Sequence, residues 1–265
     1  MWLLNFLQNL SLTTMFIATL AIGLALCWTV LALVRLGIRS SGVDPTTPLP
    51  IRDTLIDAVS AIFALMMAFS AAGIWNDTSQ ASTAVQRESN ALENVLALAR
   101  SLPADLAEKM REAVNSYARE VVNRDWPAMA SKLAIDDPAY EASDRILVDL
   151  MNTLSVEHSR IASLPTLAPL LGQIVEARSA RLARITLASA GVSPAQWLAM
   201  ILIALGALFI VGLCHNHYFG IQVLAMSLYT FVGTAAFFVI LAHDRPFVGA
   251  ISVSPAPIVQ LTTAR

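Results

Sequence analysis

Three arginines at three-residue spacing, Arg178, Arg181 and Arg184, are the most chemically pointed feature of this 265-residue chain. A guanidinium is a planar fork of donors that matches carboxylates, phosphates and other anions, and a helix brings positions three apart onto one broad face. Three uses compete for such a face. The arginines pair with acids such as Glu88 and Glu93 on a neighbouring helix, bind anionic lipid headgroups at about 1 kcal/mol each, or draw permeating anions towards a pore. Pairing ranks first, and Arg178, Arg181 and Arg184 stand as the candidate anion or lipid contacts.

Cys214, His215 and His217 are ligand types for a transition metal. A closed site needs about four ligands, however, and His243 is expected at the other membrane face, so the group reads as a polar interfacial turn. Glu157-His158 is an acid and imidazole pair with no nucleophile motif near it, and the chain carries no GxSxG, HExxH, Walker A or dinucleotide fingerprint. No catalytic, cofactor or metal residue is therefore assigned, no cofactor is expected, and the chain is not expected to be an enzyme.

The elements that hold these residues are membrane spans. Hydrophobic residues make up 56% of the chain and charged ones 14%, against roughly 25% charged in an ordinary soluble domain. Of the 36 charged side chains, 15 acidic and 12 basic ones lie between Asp77 and Arg184, which leaves the two ends apolar. A net charge of −2 leaves no broad basic surface, so nucleic acid is not an expected partner. Cys27 and Cys214 are too few and too far apart for a disulfide framework. The N-terminal apolar run, longer than a signal-peptide core, reads as a retained anchor.

Leu12 to Val34 is 23 residues without a charge and Ala58 to Trp75 is 18; a hydrocarbon core roughly 30 Å thick takes about 20 helical residues. The 59 residues between Arg184 and Asp244 hold no Asp, Glu, Lys or Arg and are interrupted near the middle by Cys214 to Gly220. They predict a third span over 197–213, started by Ser193-Pro194 as cap and first-turn proline, and a fourth over 221–242. Continuous apolar runs exclude a β-barrel. The predicted fold is all-α and integral to the membrane: a two-helix part over 1–76, a helical soluble segment over 77–193, a membrane hairpin over 194–243 and an extended tail over 244–265.

In the second span, Ala64, Ala68 and Ala72 recur every four residues with Ala61 and Ala71 beside them. Small side chains let helices approach closely. Phe63, Ala64, Met67, Ala68, Ser70 and Ala72 are thus the candidate packing or pore face, with packing ranked first. Between spans, apolar stripes predict helices over about Ser79–Ser101, over 106–121 through Leu106, Met110, Ala113, Tyr117 and Val121, over Tyr140–Ser159, and from Pro165 and Pro169 towards Ala190. Asp125-Trp126-Pro127 reads as a helix end.

After the fourth span, Asp244-Arg245 is read as an ion pair at the interface, with Pro246 and Gly249 turning the chain away and the residues from Ile251 to Pro257 running extended. Arg35, Arg39 and Arg52 flank the spans on one side, and Arg87, Arg178, Arg181, Arg184, Arg245 and Arg265 on the other. The positive-inside count places the helical segment and both termini in the cytoplasm.

Phe69 to Asn76 with Trp75 and Asn76 at its end, Glu88 and Asn90 on the following helix, the arginine series before Gly191 to Pro194, and Asp244-Arg245-Pro246-Phe247-Val248-Gly249 with Ser252 to Pro255 carry a family resemblance. The chain resembles the bestrophin-like (DUF4239) family of bacterial membrane proteins over most of residues 58–260. That resemblance implies a bacterial inner (cytoplasmic) membrane protein. Bestrophins themselves are pentameric anion channels whose second span lines a neck, so by analogy the expected partners are the lipid bilayer, further copies of the chain and small anions. Phe63 and Phe69 lack the spacing of the aromatic neck, and no acidic cluster follows Gly249. The competing expectation is a membrane-anchored helical scaffold or sensor that binds a protein through an exposed stripe on the Asp105 to Arg124 helix.

Overall fold

The computed structural model describes residues 6–8, 10–42, 53–131, 133–249 and 251–262. Arg52 and Arg265, two of the charges in the orientation count, lie outside these residues. The described elements are helices: α1 (Leu12–Ser40), α2 (Asp53–Ala99), α3 (Ala104–Glu120), α4 (Trp126–Ala130), α5 (Glu141–Val156), α6 (His158–Ile161), α7 (Leu167–Leu187), α8 (Pro194–Cys214), α9 (Phe219–His243) and α10 (Ala256–Leu261). A π-helical turn over Val121–Asp125 and a 3-10 turn over Pro138–Tyr140 complete them. Four helices, α1, α2, α8 and α9, are long and apolar enough to cross a membrane.

The second span and the helix expected from Ser79 are one element. Asn76 to Gln80 are polar but include neither Pro nor Gly, so α2 continues for 47 residues, about 70 Å. Helix α8 starts as its sequence suggests: the Ser193 hydroxyl accepts from Gln196 N, the Gln196 side chain accepts from Ser193 N, and Pro194 occupies the first turn.

The chain divides into two compact units. In the first (Met1–Trp75, Gly191–Asp244 and Gly249–Ile251), α1 packs on α9 and both pack on α8. One apolar cluster joins Phe63, Met67 and Ile74 of α2 to Trp197, Met200, Ile240 and Leu241. Another joins Cys27, Leu31 and Val34 of α1 to Leu208, Val211 and Met226. The Trp197 and Phe237 rings stack at 6.1 Å, and Phe63 lies 5.8 Å from Phe237.

The second unit (Asn76–Ala190, Arg245–Val248 and Ser252–Arg265) has its own core, built from the stripes of α2, α3, α5 and α7. Leu106, Met110, Tyr117 and Val121 are buried as their periodicity predicts, although Val114 rather than Ala113 completes the α3 stripe. This covered stripe does not present the exposed apolar face that the scaffold expectation needs.

Two local expectations are corrected here. Asp125-Trp126-Pro127 does not end a helix; the chain continues through the π-helical turn into α4, with Pro127 near the start of α4, where its missing N–H costs little. The tail expected to be extended closes into α10, because Ile258 and Leu261 fall three apart and insert into the second core. The Ser89 hydroxyl fixes α10 by donating to the Pro257 carbonyl at 2.8 Å.

Candidate functional site

The candidate face on the second span separates into two. Phe63, Met67 and Ser70 are buried in the first unit, with the Ser70 hydroxyl 3.5 Å from the Met200 sulfur. Ala64, Ala68 and Ala72 are exposed, as are Phe69, Trp75 and Asn76. A helix turns 100° per residue, so positions 63, 67, 70 and 74 share one stripe and 64, 68 and 72 the next. Phe63 and Met67 are committed within the chain, whereas the three alanines face outward beside exposed Leu65, Phe69 and Trp75. The apolar window of α2 is 17% buried, the least of the four span helices.

The arginine series is brought together in the second unit, on α7. Arg184 is wholly buried. Its Nε donates to Glu88 Oε2 at 2.6 Å, and its Nη2 donates to Glu88 Oε1 and Asp125 Oδ2, both at 3.0 Å. The Tyr117 hydroxyl donates to Glu88 Oε1 at 2.6 Å, and the Trp126 ring lies 5.5 Å from the Arg184 guanidinium carbon. Arg181, also buried, donates through Nε to Ser143 Oγ at 3.0 Å and through Nη2 to the Tyr140 carbonyl. The Ser143 hydroxyl in turn donates to Asp125 at 2.9 Å. Arg178, at the exposed end, forms a fork with Asp144, both contacts 2.9 Å.

Arg181 and Arg184 balance Glu88 and Asp125, and Arg178 balances Asp144. Burial works against the charge on Arg184, yet Glu88, Tyr117 and Asp125 together outweigh that and hold the guanidinium protonated. Burial pushes the Asp125 carboxyl up against the opposing pull of Arg184 and Arg181. Burial, with the neighbouring Glu88 charge, raises Tyr117 well above the usual phenol range, so it remains a donor. Hydrogen bonds from Arg178 lower Asp144.

These contacts correct the anion and lipid expectation for Arg181 and Arg184. Both are withdrawn from solvent and matched to carboxylates, so neither presents a free guanidinium fork. Glu88 is a partner, as anticipated; Glu93 is exposed. The sequence places Tyr117 in an apolar stripe and Asp125 at a helix end without linking either to the arginines, and it does not single out Ser143 or Asp144. The only available signal was Asp125 beside Trp-Pro, and the π-helical turn that aims it inward is not written in a periodicity.

The tail motif also resolves into specific contacts. Within the first unit, Asp244 Oδ1 accepts from Val192 N at 2.7 Å and Oδ2 accepts from the Gln8 amide at 2.9 Å, in place of the expected ion-pair reading. Gly191 sits at φ 140°, where an added Cβ would lie 2.6 Å from the Asp244 carbonyl oxygen. Within the second unit, Arg245 donates to the Ala130 carbonyl, Pro246 O accepts from Val253 N at 2.7 Å, and Phe247 meets Trp126 edge-on at 5.5 Å. Gly249 turns the chain at φ 89°. Asn90 is exposed and accepts from Gln86 at 2.9 Å. His215 Nδ1 lies 3.0 Å from the Val211 carbonyl, and among the described residues no group of three His, Cys, Asp or Glu is placed to hold a metal.

Four apolar spans and an all-helical architecture define a helical membrane protein. The sequence matches the bestrophin-like domain over residues 14–258, and the chain belongs to that family. Solved structures share the fold. One described as a membrane protein superposes with a TM-score of 0.70 at 13% identity, covering 94% of this chain and 96% of that one. A bacterial bestrophin homologue from Klebsiella pneumoniae, carrying a point substitution, gives 0.69 at 12% identity with the same coverage. Another variant of that homologue gives 0.67 at 12%, covering 94% and 99%. No curated protein matches the chain.

Proposed function

We propose that this bestrophin-like membrane protein assembles into a homo-oligomeric channel for small ions, with anions as the conducted class. The observation that carries this reading is the outward row Ala64, Ala68 and Ala72 on α2, exposed while Phe63, Met67 and Ser70 on the adjoining stripe are buried. In an oligomer, such a row allows close approach between copies or lines a narrow path with little steric obstruction. Family membership supports the same assignment.

The conduction path in this reading relies on small side chains and backbone dipoles. The buried arginine network serves to hold the helical unit together and is not an ion lure. That unit is assigned to the cytoplasmic side of a bacterial inner membrane. The test is ion flux from liposomes containing the purified protein, chloride compared with potassium, together with the mass of the assembly. Chloride-selective flux from an oligomer supports the channel; tight liposomes containing folded oligomers overturn it.

A further inference from the structure

Arg35 follows the 23 uncharged residues of the first span, Leu12 to Val34, which as helix cover about 35 Å against a hydrocarbon core of roughly 30 Å. Its guanidinium therefore stands at the depth of the lipid headgroups. Arg39 follows one helical turn later on the same face and is exposed.

The Arg35 side chain is held in place from within the first unit. Its Nε donates to Gln222 Oε1 at 2.7 Å, and Gln222, wholly buried near the start of α9, donates in turn to the Gly212 carbonyl near the end of α8. The guanidinium carbon lies 4.9 Å from the centre of the Phe219 ring. The cation is thus positioned by the fold itself.

No carboxylate balances it. Among the described residues, Asp57 near the start of α2 included, none forms an ion pair with Arg35 or Arg39. Gln222 occupies Nε, and Nη2 is covered without a partner, so Nη1 of this half-buried side chain is the donor left for a group from outside. Withdrawing a cation from water without an anion is costly, and the bilayer holds anions at this depth. Leu36, next in sequence, and Tyr218, Phe219 and Ile221 around Gln222 are exposed. They supply the apolar and aromatic surface that lipid chains and the membrane interface cover.

We propose that Arg35 and Arg39 form a binding site for the phosphodiester of an anionic phospholipid, with Arg35 as the fixed donor and Arg39 as the outer charge. A guanidinium matches phosphate oxygens in both charge and geometry. A headgroup without an ammonium of its own leaves the phosphate to the two arginines, whereas a zwitterionic headgroup brings a competing cation.

The experiment is native mass spectrometry of the purified full-length protein in detergent, titrated with phosphatidylglycerol or with phosphatidylcholine of the same acyl chains. Phosphatidylglycerol should bind at least tenfold more tightly. Arg39→Gln should weaken its binding about fivefold, and Arg35→Gln combined with Arg39→Gln at least tenfold. Arg119→Gln, at an exposed position on α3 in the second unit, removes the same charge and should leave the affinity unchanged. The Arg39 side chain has no partner to lose, so its single substitution decides the question even where the double variant folds poorly. Unchanged phosphatidylglycerol affinity in folded Arg39→Gln protein, or equal affinity for the two lipids, would overturn the site. Inorganic phosphate bound as tightly as the lipid would reassign it to a free anion and overturn the lipid.

Discussion

Arg184 and Glu88, 96 positions apart in sequence, meet as a two-point ion pair at 2.6 and 3.0 Å with both side chains at 0% exposure. The contact joins α7 to α2, and Asp125 from the π-helical turn completes it. Removing charges from solvent is costly, so such a group is tolerated only when every charge is matched.

The three arginines should therefore differ steeply in their effect on stability. Arg184→Gln leaves Glu88 and Asp125 facing a neutral side chain and is expected to cost about 3–5 kcal/mol. Arg178, with its side chain 48% exposed, makes an ion pair of the solvent-screened kind, and Arg178→Gln is expected to cost at most about 1 kcal/mol. Equilibrium unfolding of the purified variants in detergent measures both. Equal losses would mean that burial does not govern the series.

Tyr117 sets an alkaline limit. Its folded pKa is raised, first by burial and then by Glu88, above an unfolded value of about 10. The sign follows: its contribution is complete below about pH 10 and declines as pH rises from there towards the folded value, because the unfolded chain releases the proton first. Tyr117→Phe should cost about 1.5–3 kcal/mol near neutrality through the lost bond to a carboxylate. The melting temperature of that variant should fall less than that of the parent between pH 9 and 11.5. Parallel curves would show that Tyr117 does not set the slope.

The two stripes of α2 should separate folding from assembly. Met67→Ala opens a cavity inside the first unit and is expected to destabilise the chain by about 2–5 kcal/mol. Ala68→Trp places bulk on the outward row, so it should leave the single chain's melting intact and lower the mass of the oligomer measured by light scattering. An unchanged oligomer would remove Ala68 from the subunit contact.

Gly191→Ala tests the turn before α8. The φ of 140° and the nearby Asp244 carbonyl oxygen leave no room for a methyl group, and a cost of about 1–3 kcal/mol is expected from the backbone conformation alone. Gly37→Ala, within α1 where an added Cβ meets nothing within 4 Å, is the control and should be neutral or mildly stabilising. A thermal melt that ranks the two equally would contradict the assignment.

Much of the fold was legible because it rests on local physics. The uncharged runs located all four spans, and Ser193-Pro194 marked the start of α8 through a cap that needs only neighbouring residues. The helix expected to start near Ser79 runs on unbroken from the second span for an equally plain reason. Hydropathy drops at Asn76, but a fall in hydropathy is no helix breaker, and without Pro or Gly the backbone hydrogen bonds continue to Ala99. The tail was misread because Ile258 and Leu261 become a stripe only when a distant core receives them.

Composition and periodicity alone determined an all-helical membrane chain, the approximate location of its spans and the apolar stripes on its helices, since those properties depend on residues within a few turns of one another. Tertiary structure decided which acids meet the arginine series and which half of the α2 face is covered. Each of these depends on side chains tens to hundreds of positions apart being packed against one another, and a local pattern records that a face exists without recording what covers it.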